Sequence, residues 1–314
     1  MVTQPRRPHR QVIRMHSIDY SKISITAKLV AHFRKYSDIA FADDVASFVK
    51  AEEALREIAE KLDTAAVSSD KRNEMSYESK LTAPLLEARY KSIVQLIHKT
   101  GIKQVLELAS GFSLRGLAMA DDVELHYVES DLADINAEKK KLVTLLRAQY
   151  GLSDFGNHHI VTANALASSD LEAATASFNP DQPLVIVNEG LIPYLSAEEQ
   201  AVLADNVRLL LSKFNGGAWI TPDFTTRQVA DAVSENRQRF RQAINSTTNT
   251  QLHGAAFASE DALNKFISSH GFSGDHYYQT ELVTNLVSPQ RLGLSDAVVE
   301  GLKPQMRIWL LSPV

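Results

Sequence analysis

The sequence predicts an α/β protein with a doubly wound, mostly parallel β-sheet that follows a helical N-terminal segment. Apolar residues recur at helical spacing alone through residues 17–100, and short apolar strands alternate with helices from residue 104 onward. Residues 184–187 are Leu-Val-Ile-Val, an unbroken apolar run that is typical of a central parallel strand covered on both faces. These observations favour a doubly wound sheet over an all-helical or all-β fold.

Residues 1–100 are predicted to form an N-terminal tail and a helical cap. Three amphipathic stretches begin near Ile25, Val45 and Leu85, with polar residues between their apolar positions. Gly101 supplies the stop of the third helix.

Seven strands are predicted within residues 101–314, which would form the core domain. They occupy residues 104–109, 124–130, 158–163, 184–187, 218–224, 277–282 and 306–311. Ser196 and Glu199 form a capping box that begins the helix after the fourth strand. The polar residues 225–254 carry four arginines and are predicted as a helical insertion after strand five.

The composition limits the classes of function. A chain of 314 residues with 44% hydrophobic residues can bury a sizeable core, and its net charge of −5 argues against nucleic acid as a partner. The chain has no cysteine, which excludes disulfides and a cysteine nucleophile and fits a cytoplasmic location. No apolar run approaches the roughly 18 residues that span a bilayer, so we expect no membrane association. No metal site is predicted.

The first sixteen residues are basic. They contain Arg6, Arg7, Arg10 and Arg14 and no acidic residue. No apolar segment follows them, which argues against a secretory signal. We expect a basic tail, with a transit peptide as the alternative.

Doubly wound sheets bind ligands beyond the carboxyl ends of their strands, so the residues that follow each strand are the functional candidates. The first strand leads into a turn that contains Glu107 and Gly111, where a glycine lets the backbone approach a ligand. The turn lacks the Gly-x-Gly-x-x-Gly spacing and a following Gly-Lys-Ser/Thr, so a phosphate cradle is not predicted. A purely structural turn is the alternative.

Acidic and amide side chains follow the next two strands. Glu129 and Asp131 end the second, where an acidic residue typically accepts hydrogen bonds from ribose; the alternative is that Asp131 only begins a helix. Asn164 and Ala165 close the third strand, where the amide could contact an adenine edge or simply form a turn.

Glu189 ends the most hydrophobic strand of the chain. A carboxylate in such a position has lost much of its hydration and needs a cation, which could be a side chain or the ammonium group of a ligand. Arg89 and Lys28 lie on apolar helix faces. Each is a candidate partner for Glu189 or for a carboxylate of the ligand.

Together these segments resemble the leucine carboxyl methyltransferase family of class I S-adenosylmethionine-dependent enzymes. The closer likeness is to its branch of O-methyltransferases of polyketide and related small-molecule biosynthesis. The resemblance runs from about Ser24 to the C-terminus. It is carried by Ile25-Thr-Ala-Lys28, Glu87-Ala-Arg89, Val105-Leu-Glu-Leu-Ala-Ser-Gly111-Phe-Ser, Tyr127-Val-Glu129-Ser-Asp131-Leu and Asn188-Glu189-Gly-Leu-Ile-Pro-Tyr194-Leu.

The resemblance implies a seven-stranded Rossmann-like methyltransferase sheet with S-adenosylmethionine as cofactor. The cofactor-binding residues that it implies are Lys28, Arg89, Glu107, Gly111, Glu129, Asp131, Asn164, Ala165 and Glu189. Two residues depart from the family pattern. Ala109 replaces the first glycine of the Gly-x-Gly turn, and Asn164 stands where the family often has Asp.

Individual roles follow from the same resemblance. Arg89 and Lys28 would hold the methionyl carboxylate, and Asp131 rather than Glu129 would bind ribose. Glu189 would meet the methionyl amine or line the reaction centre. Glu189 and Tyr194 are the candidate catalytic residues, with Tyr194 orienting an acidic acceptor.

The sequence therefore predicts an O-methyltransferase that methylates a carboxylate or acidic hydroxyl of a small molecule by in-line displacement. A carboxylate, with a pKa of about 4, needs no general base, whereas a phenol or enol would benefit from one such as His253 or His276. The insertion and the N-terminal helices would form a lid over the acceptor. The alternatives are a protein C-terminal carboxyl methyltransferase, a non-catalytic S-adenosylmethionine-binding module and, less favoured, an NAD-dependent dehydrogenase.

Overall fold

A seven-stranded β-sheet lies at the centre of the protein. The structure is a computed structural model that describes residues 23–56, 80–231 and 256–314. The strands are β1 Gln104–Leu108, β2 His126–Asp131, β3 His158–Thr162, β4 Leu184–Asn188, β5 Gly217–Thr221, β6 Phe272–Tyr278 and β7 Arg307–Pro313. Each of them lies at or beside a predicted strand.

The strand order is β3-β2-β1-β4-β5-β7-β6. The first five strands are parallel, and β7 runs antiparallel between β5 and β6. Because the chain moves outward from β1 on one side and from β4 on the other, a crevice opens where the carboxyl ends of these two strands meet. The predicted doubly wound, mostly parallel class is confirmed.

Helices precede the sheet and alternate with its strands. They are α1 Ile23–Arg34, α2 Ala42–Phe48, α3 Thr82–Thr100, α4 Arg115–Met119, α5 Ala133–Tyr150, α6 Ser168–Ala174, α7 Ala197–Leu211, α8 Arg227–Asp231, α9 Glu260–Ser269, α10 Gln279–Leu282, α11 Ser288–Arg291 and α12 Asp296–Leu302. The predicted capping box begins α7: Ser196 Oγ accepts from the Glu199 amide, and the Glu199 side chain accepts from the Ser196 amide. No described helix is long and apolar enough to cross a membrane.

Alternate residues of the parallel strands pack into two apolar layers, one on each face of the sheet. Leu106 and Ile186 belong to the layer that contains α7, and Val105 and Val185 to the layer that contains α3. All four side chains are fully buried. This double coverage is why residues 184–187 carry no polar side chain.

Two predicted elements differ from the structure. Residues 277–282 were expected to form a strand, but β6 ends at Tyr278 and Gln279–Leu282 is helical. Because β6 is an edge strand whose residues 273–275 are exposed, it carries little apolar signal there. The predicted second helix also breaks after α2, where Lys50 adopts a positive φ of 55°.

The cap helices lie over the turn that follows β1. Ala31 of α1 and Val45 of α2 share an apolar cluster with Phe112 of that turn and with Leu142 of α5. The cap therefore roofs the crevice at the carboxyl ends of the strands. The proposed boundary at residue 100 stays a prediction, and residues 232–254 of the predicted insertion lie outside the described residues.

Candidate active site

A cavity of about 270 Å³ occupies the crevice beneath the cap. Its lining includes residues 109–114 after β1, residues 163–166 after β3 and residues 189–191 after β4. The helices α1 and α2 close the opposite wall. Its position is the one that the strand topology predicts for a ligand site.

Most of the predicted site residues are brought together here. Those that line the cavity are Arg89, Glu107, Gly111, Asp131, Asn164, Ala165, Glu189 and Tyr194. Lys28 and Glu129 are outside the lining. The roles assigned to all these residues stay predictions, but the structure shows which of them a ligand in this cavity could reach.

Arg34 takes the place expected of Lys28. The cavity-lining residues of α1 are Thr26, Ala27, Val30, Ala31 and Arg34. They follow the three- and four-residue spacing of one helix face, and Lys28 lies off that face. The sequence shows a cation on an apolar helix at both positions, so only the packing of α1 distinguishes them.

Glu189 is surrounded by three guanidinium groups. Its Oε1 accepts from Arg34 Nη2 at 2.5 Å and from Arg89 Nε at 2.8 Å, and its Oε2 accepts from an Arg115 nitrogen at 2.6 Å. Burial alone would raise the pKa of Glu189, but the three arginines outweigh burial and hold this pKa well below its usual range. Glu189 is therefore an ionised carboxylate at neutral pH.

Three guanidinium groups and three carboxylates, those of Glu189, Glu107 and Asp223, lie at this end of the cavity. Arg115 pairs with both Glu107 and Glu189, and Asp223 lies close enough to Arg89 to interact with it electrostatically. The side chain of Arg89 is 24% exposed, whereas those of Arg34 and Arg115 are 9% and 0% exposed. The partly exposed guanidinium of Arg89 suits a ligand carboxylate.

Asp131, at the end of β2, is hydrogen-bonded to Gly111 in the turn after β1. Gly111 has a φ of 50°, and its amide donates to Asp131 Oδ2 at 2.7 Å, while the Leu132 amide donates to Oδ1 at 2.7 Å. Burial raises the pKa of Asp131 against the effect of these donors. Ala109 also adopts a positive φ, 48°, in the position where the family has glycine. The backbone therefore keeps the glycine-type turn with an alanine in place.

Glu129 lies in an internal network beneath the turn. It accepts from the Gly116 amide at 2.9 Å and pairs with Lys139 at 2.9 Å, and His158 lies 3.3 Å away. Burial would raise the pKa of Glu129, but Lys139 and His158 lower it to about 2. Glu129 and Asp131 share one face of β2, and Asp131 is one pleat nearer the open edge. This difference in depth is why only Asp131 lines the cavity.

The segment after β3 is fixed by its own polar side chains. Asn164 Oδ1 accepts from the Leu166 amide at 3.0 Å, and the Asn164 amide donates to Asp170 Oδ2 at 3.0 Å. Asn164 therefore stabilises a turn in the cavity wall, and its contact with adenine stays a prediction.

Asp223 organises the loop that carries Glu189, and the sequence analysis missed it. Its carboxylate accepts from the amides of Gly190, Leu191 and Ile192 at 2.8, 2.8 and 3.2 Å. It also accepts from Asn188 Nδ2 at 2.7 Å. Asp223 follows β5 in an apolar run, which is the same signal that drew attention to Glu189.

Of the two histidines that were candidate bases, the structure describes only His276. His276 lies on the edge strand β6, outside the lining, where burial lowers its pKa. His253 lies outside the described residues. Tyr194 does line the cavity, where burial raises its pKa and its side chain hydrogen-bonds with Thr26.

The sequence model of the leucine carboxyl methyltransferase family matches residues 23–208 of this chain, which is more than half of its length. The chain therefore belongs to the leucine carboxyl methyltransferase family, and it is a methyltransferase that uses S-adenosylmethionine. The match begins with α1 and ends within α7, so it includes every strand end that contributes to the cavity.

Several solved structures are similar to this chain at low identity. An O-methyltransferase family protein from Burkholderia thailandensis is 13% identical, with a TM-score of 0.48 over 86% of this chain and 71% of that one. Magnesium protoporphyrin IX methyltransferase from Synechocystis, solved with S-adenosylhomocysteine, is 11% identical, with a TM-score of 0.44 over 82% and 92% of the two chains. At this level of similarity neither structure bears on the substrate.

The residues present fit the cofactor. S-adenosylmethionine carries a carboxylate, an ammonium group, a ribose and an adenine. Arg89 and Arg34 would hold the carboxylate, Glu189 the ammonium group, Asp131 the ribose and residues 164–165 the adenine. Glu189 Oε2 accepts a bond from Arg115 and, as a carboxylate oxygen, can accept another.

Proposed function

We propose that this protein is an O-methyltransferase whose acceptor is a small molecule with a carboxylate or another acidic hydroxyl. A cytoplasmic location belongs to the same proposal. The resemblance to the small-molecule branch of the family supports this choice and makes polyketide-type acids the first acceptors to test.

The observation that carries the proposal is the state of the cavity carboxylates. Glu189 is held by three guanidinium groups, Glu107 accepts from Arg115 and Tyr127, and Asp131 accepts two backbone amides. The three guanidinium groups hold the pKa of Glu189 below its usual range, so Glu189 is a poor proton acceptor. An acceptor oxygen that is already ionised at neutral pH needs no base, and this favours a carboxylate or an acidic hydroxyl.

The wall formed by the cap supports a small acceptor with an apolar body. Its side chains are short and mostly aliphatic: Ala27, Val30, Ala31, Ala42 and Val45. Such a wall excludes water from the reacting groups and strengthens their electrostatic interactions. Tyr194, which lines the cavity and hydrogen-bonds with Thr26, has a hydroxyl that can orient the acceptor.

Positioning then supplies most of the catalysis. The cofactor provides an activated methyl group on a sulfonium. The arginine cluster holds the methionyl end of the cofactor, and Asp131 holds its ribose. The cap places the acceptor oxygen near the methyl group between them. Holding both partners in line converts a bimolecular reaction into an effectively unimolecular one.

The experiment is a transfer assay with S-adenosylmethionine that carries a trideuterated methyl group. The panel contains aliphatic and aromatic carboxylic acids, polyketide-type acids, acidic phenols and peptides with a free C-terminus, and mass spectrometry detects the label. We expect label in one or more small acids, and mild base releases it from an ester but not from an ether. Label in peptides alone would assign a protein carboxyl methyltransferase. Cofactor binding without label in any acceptor would favour a non-catalytic module.

A further inference from the structure

Arg115 is a buried charge to which neither the sequence analysis nor the proposed function gives a role. It begins α4, its side chain is 0% exposed, and it does not line the cavity. Burying a guanidinium destabilises the fold unless its partners compensate for the lost hydration. The contacts of Arg115 therefore indicate what the fold gains from it.

Arg115 joins the carboxylates at the ends of two adjacent central strands. One terminal nitrogen pairs with Glu107 of β1, and the other pairs with Glu189, directly after β4, at 2.6 Å. Its guanidinium carbon lies 4.4 Å from the centre of the Tyr90 ring. In the sheet Glu107 pairs with Val187, so the two carboxylates lie two residues apart in register and would repel without a cation between them.

We propose that Arg115 is a positioning residue for methyl transfer, because its bridge between Glu107 and Glu189 keeps Glu189 ionised and aimed at the methionyl end of the cofactor. The inference rests on the proposed role of Glu189. Arg115 acts through Glu189 and has no contact with the cavity of its own.

Several groups control the charge of Glu189. Arg34 of α1, Arg89 of α3 and Arg115 of α4 contact it directly. Glu107 of β1 and Tyr90 of α3 contact Arg115, and Asp223 after β5 accepts from the amide of the next residue, Gly190. Removing Arg115 takes away a cation and leaves the Glu107 charge uncompensated nearby. Both changes raise the pKa of Glu189. As the pH falls through that raised pKa, Glu189 gains a proton and can no longer hold an ammonium group.

The test is the affinity for S-adenosylhomocysteine, measured by calorimetry between about pH 5 and about pH 8, the range around the ordinary carboxyl and histidine pKa values. The wild type is expected to lose little affinity through Glu189 over this range. Arg115→Met should bind more weakly. Below the raised pKa its affinity should fall further, by about tenfold for each pH unit. Arg115→Lys, which keeps a cation, should recover part of the affinity and flatten the profile.

A second pair of variants decides the question if Arg115→Met does not fold. Glu107→Gln and the double variant Arg115→Met/Glu107→Gln both lack the Glu107 charge and differ only at residue 115. We expect the double variant to have the steeper fall in affinity toward low pH. Equal profiles in this pair, or a wild-type profile in folded Arg115→Met, would overturn the inference.

A control variant and the binding of the wild type distinguish a failure of this inference from a failure of the proposed function. Arg208→Met removes an arginine that holds the carbonyls of Gly271 and Val314 far from the cavity, and it should change stability but not the pH profile. If the wild type does not bind S-adenosylhomocysteine, the proposed function fails. If it binds and the variants keep its profile, only the role of Arg115 fails.

Discussion

Glu189 and its three arginines form a dense group of charges at one end of the described cavity. Buried ion pairs are weak evidence for stability, since desolvation offsets much of their attraction. Their geometry is instead suited to binding, because the partly exposed Arg89 can exchange one partner for a ligand carboxylate. At the residue scale, we therefore interpret the cluster as a binding site for the carboxylate of a ligand.

Arg89→Ala should weaken the binding of S-adenosylhomocysteine by at least about tenfold, since a charge-assisted hydrogen bond is worth roughly 1.5–3 kcal/mol. Calorimetry measures the affinity, with Arg208→Ala as the control for losing an arginine. An unchanged dissociation constant would remove Arg89 from the site.

Substitutions of Asp131 and Glu129 should affect different properties, cofactor binding for Asp131 and protein stability for Glu129. Asp131→Ala removes a cavity side chain and is expected to lower the affinity for S-adenosylhomocysteine more than Glu129→Ala does. Glu129→Ala leaves Lys139 buried without its carboxylate, so it should lower the free energy of unfolding by about 3–5 kcal/mol. Calorimetry and thermal unfolding of both variants check this, and the opposite order of affinities would give the ribose role to Glu129.

At the scale of elements, the loop after β4 is fixed by hydrogen bonds to buried side chains beneath it. Asp223 accepts three consecutive backbone amides, and Asn188 links it to the indole nitrogen of Trp219, which donates to Asn188 Oδ1 at 2.7 Å. Gly190, within this loop, has a φ of 73°, which other residues rarely adopt. The direction of Glu189 therefore depends on Asp223, Asn188 and Trp219, which do not line the cavity.

Asp223→Asn should destabilise the protein by roughly 1–3 kcal/mol, because the amide of Asn would face backbone donors that need an acceptor. The affinity for S-adenosylhomocysteine should fall as well, since Glu189 loses its fixed position. Thermal unfolding and calorimetry test both effects, with Asp205→Asn at the surface as the matched control. Wild-type affinity in a destabilised Asp223→Asn would show that the loop does not position Glu189.

The elements differ in how far the sequence could predict them. The central strands were found because burial on both faces leaves an apolar run, and Glu189 because a carboxylate ends such a run. The edge strand β6 was misplaced because its exposed residues carry no such pattern. Arg34 and Arg115 were missed because their importance depends on which way α1 and α4 face after packing, and spacing alone does not determine that direction.

At the scale of the whole molecule, the sheet and the cap together form the cavity. The predicted insertion begins after β5. The start of the insertion is hydrogen-bonded to the segment that follows the insertion. The Phe257 amide donates to the Thr225 carbonyl at 2.9 Å, and the Arg227 amide donates to the Phe257 carbonyl at 2.8 Å. A short linker can therefore replace the residues between them without pulling on the core.

Replacing residues 232–255 with a Gly-Ser linker should leave a folded protein that still binds S-adenosylhomocysteine, because the predicted cofactor contacts come from other segments. Methyl transfer should fall by a factor on the order of a hundred or more if this segment aligns the acceptor. Thermal unfolding, calorimetry and the labelled transfer assay give the three readouts. Unfolding on deletion would assign the segment to the core, and unchanged turnover would leave the acceptor site to the cap helices.

The most direct test of the central claim is a crystal structure of the protein with S-adenosylhomocysteine. We expect the ligand in the cavity beneath the cap, with its methionyl carboxylate at Arg89, its ammonium group at Glu189, its ribose at Asp131 and its adenine beside residues 164–165. A ligand bound elsewhere, or one in this cavity with its adenine at the arginine cluster, would contradict this assignment of the site.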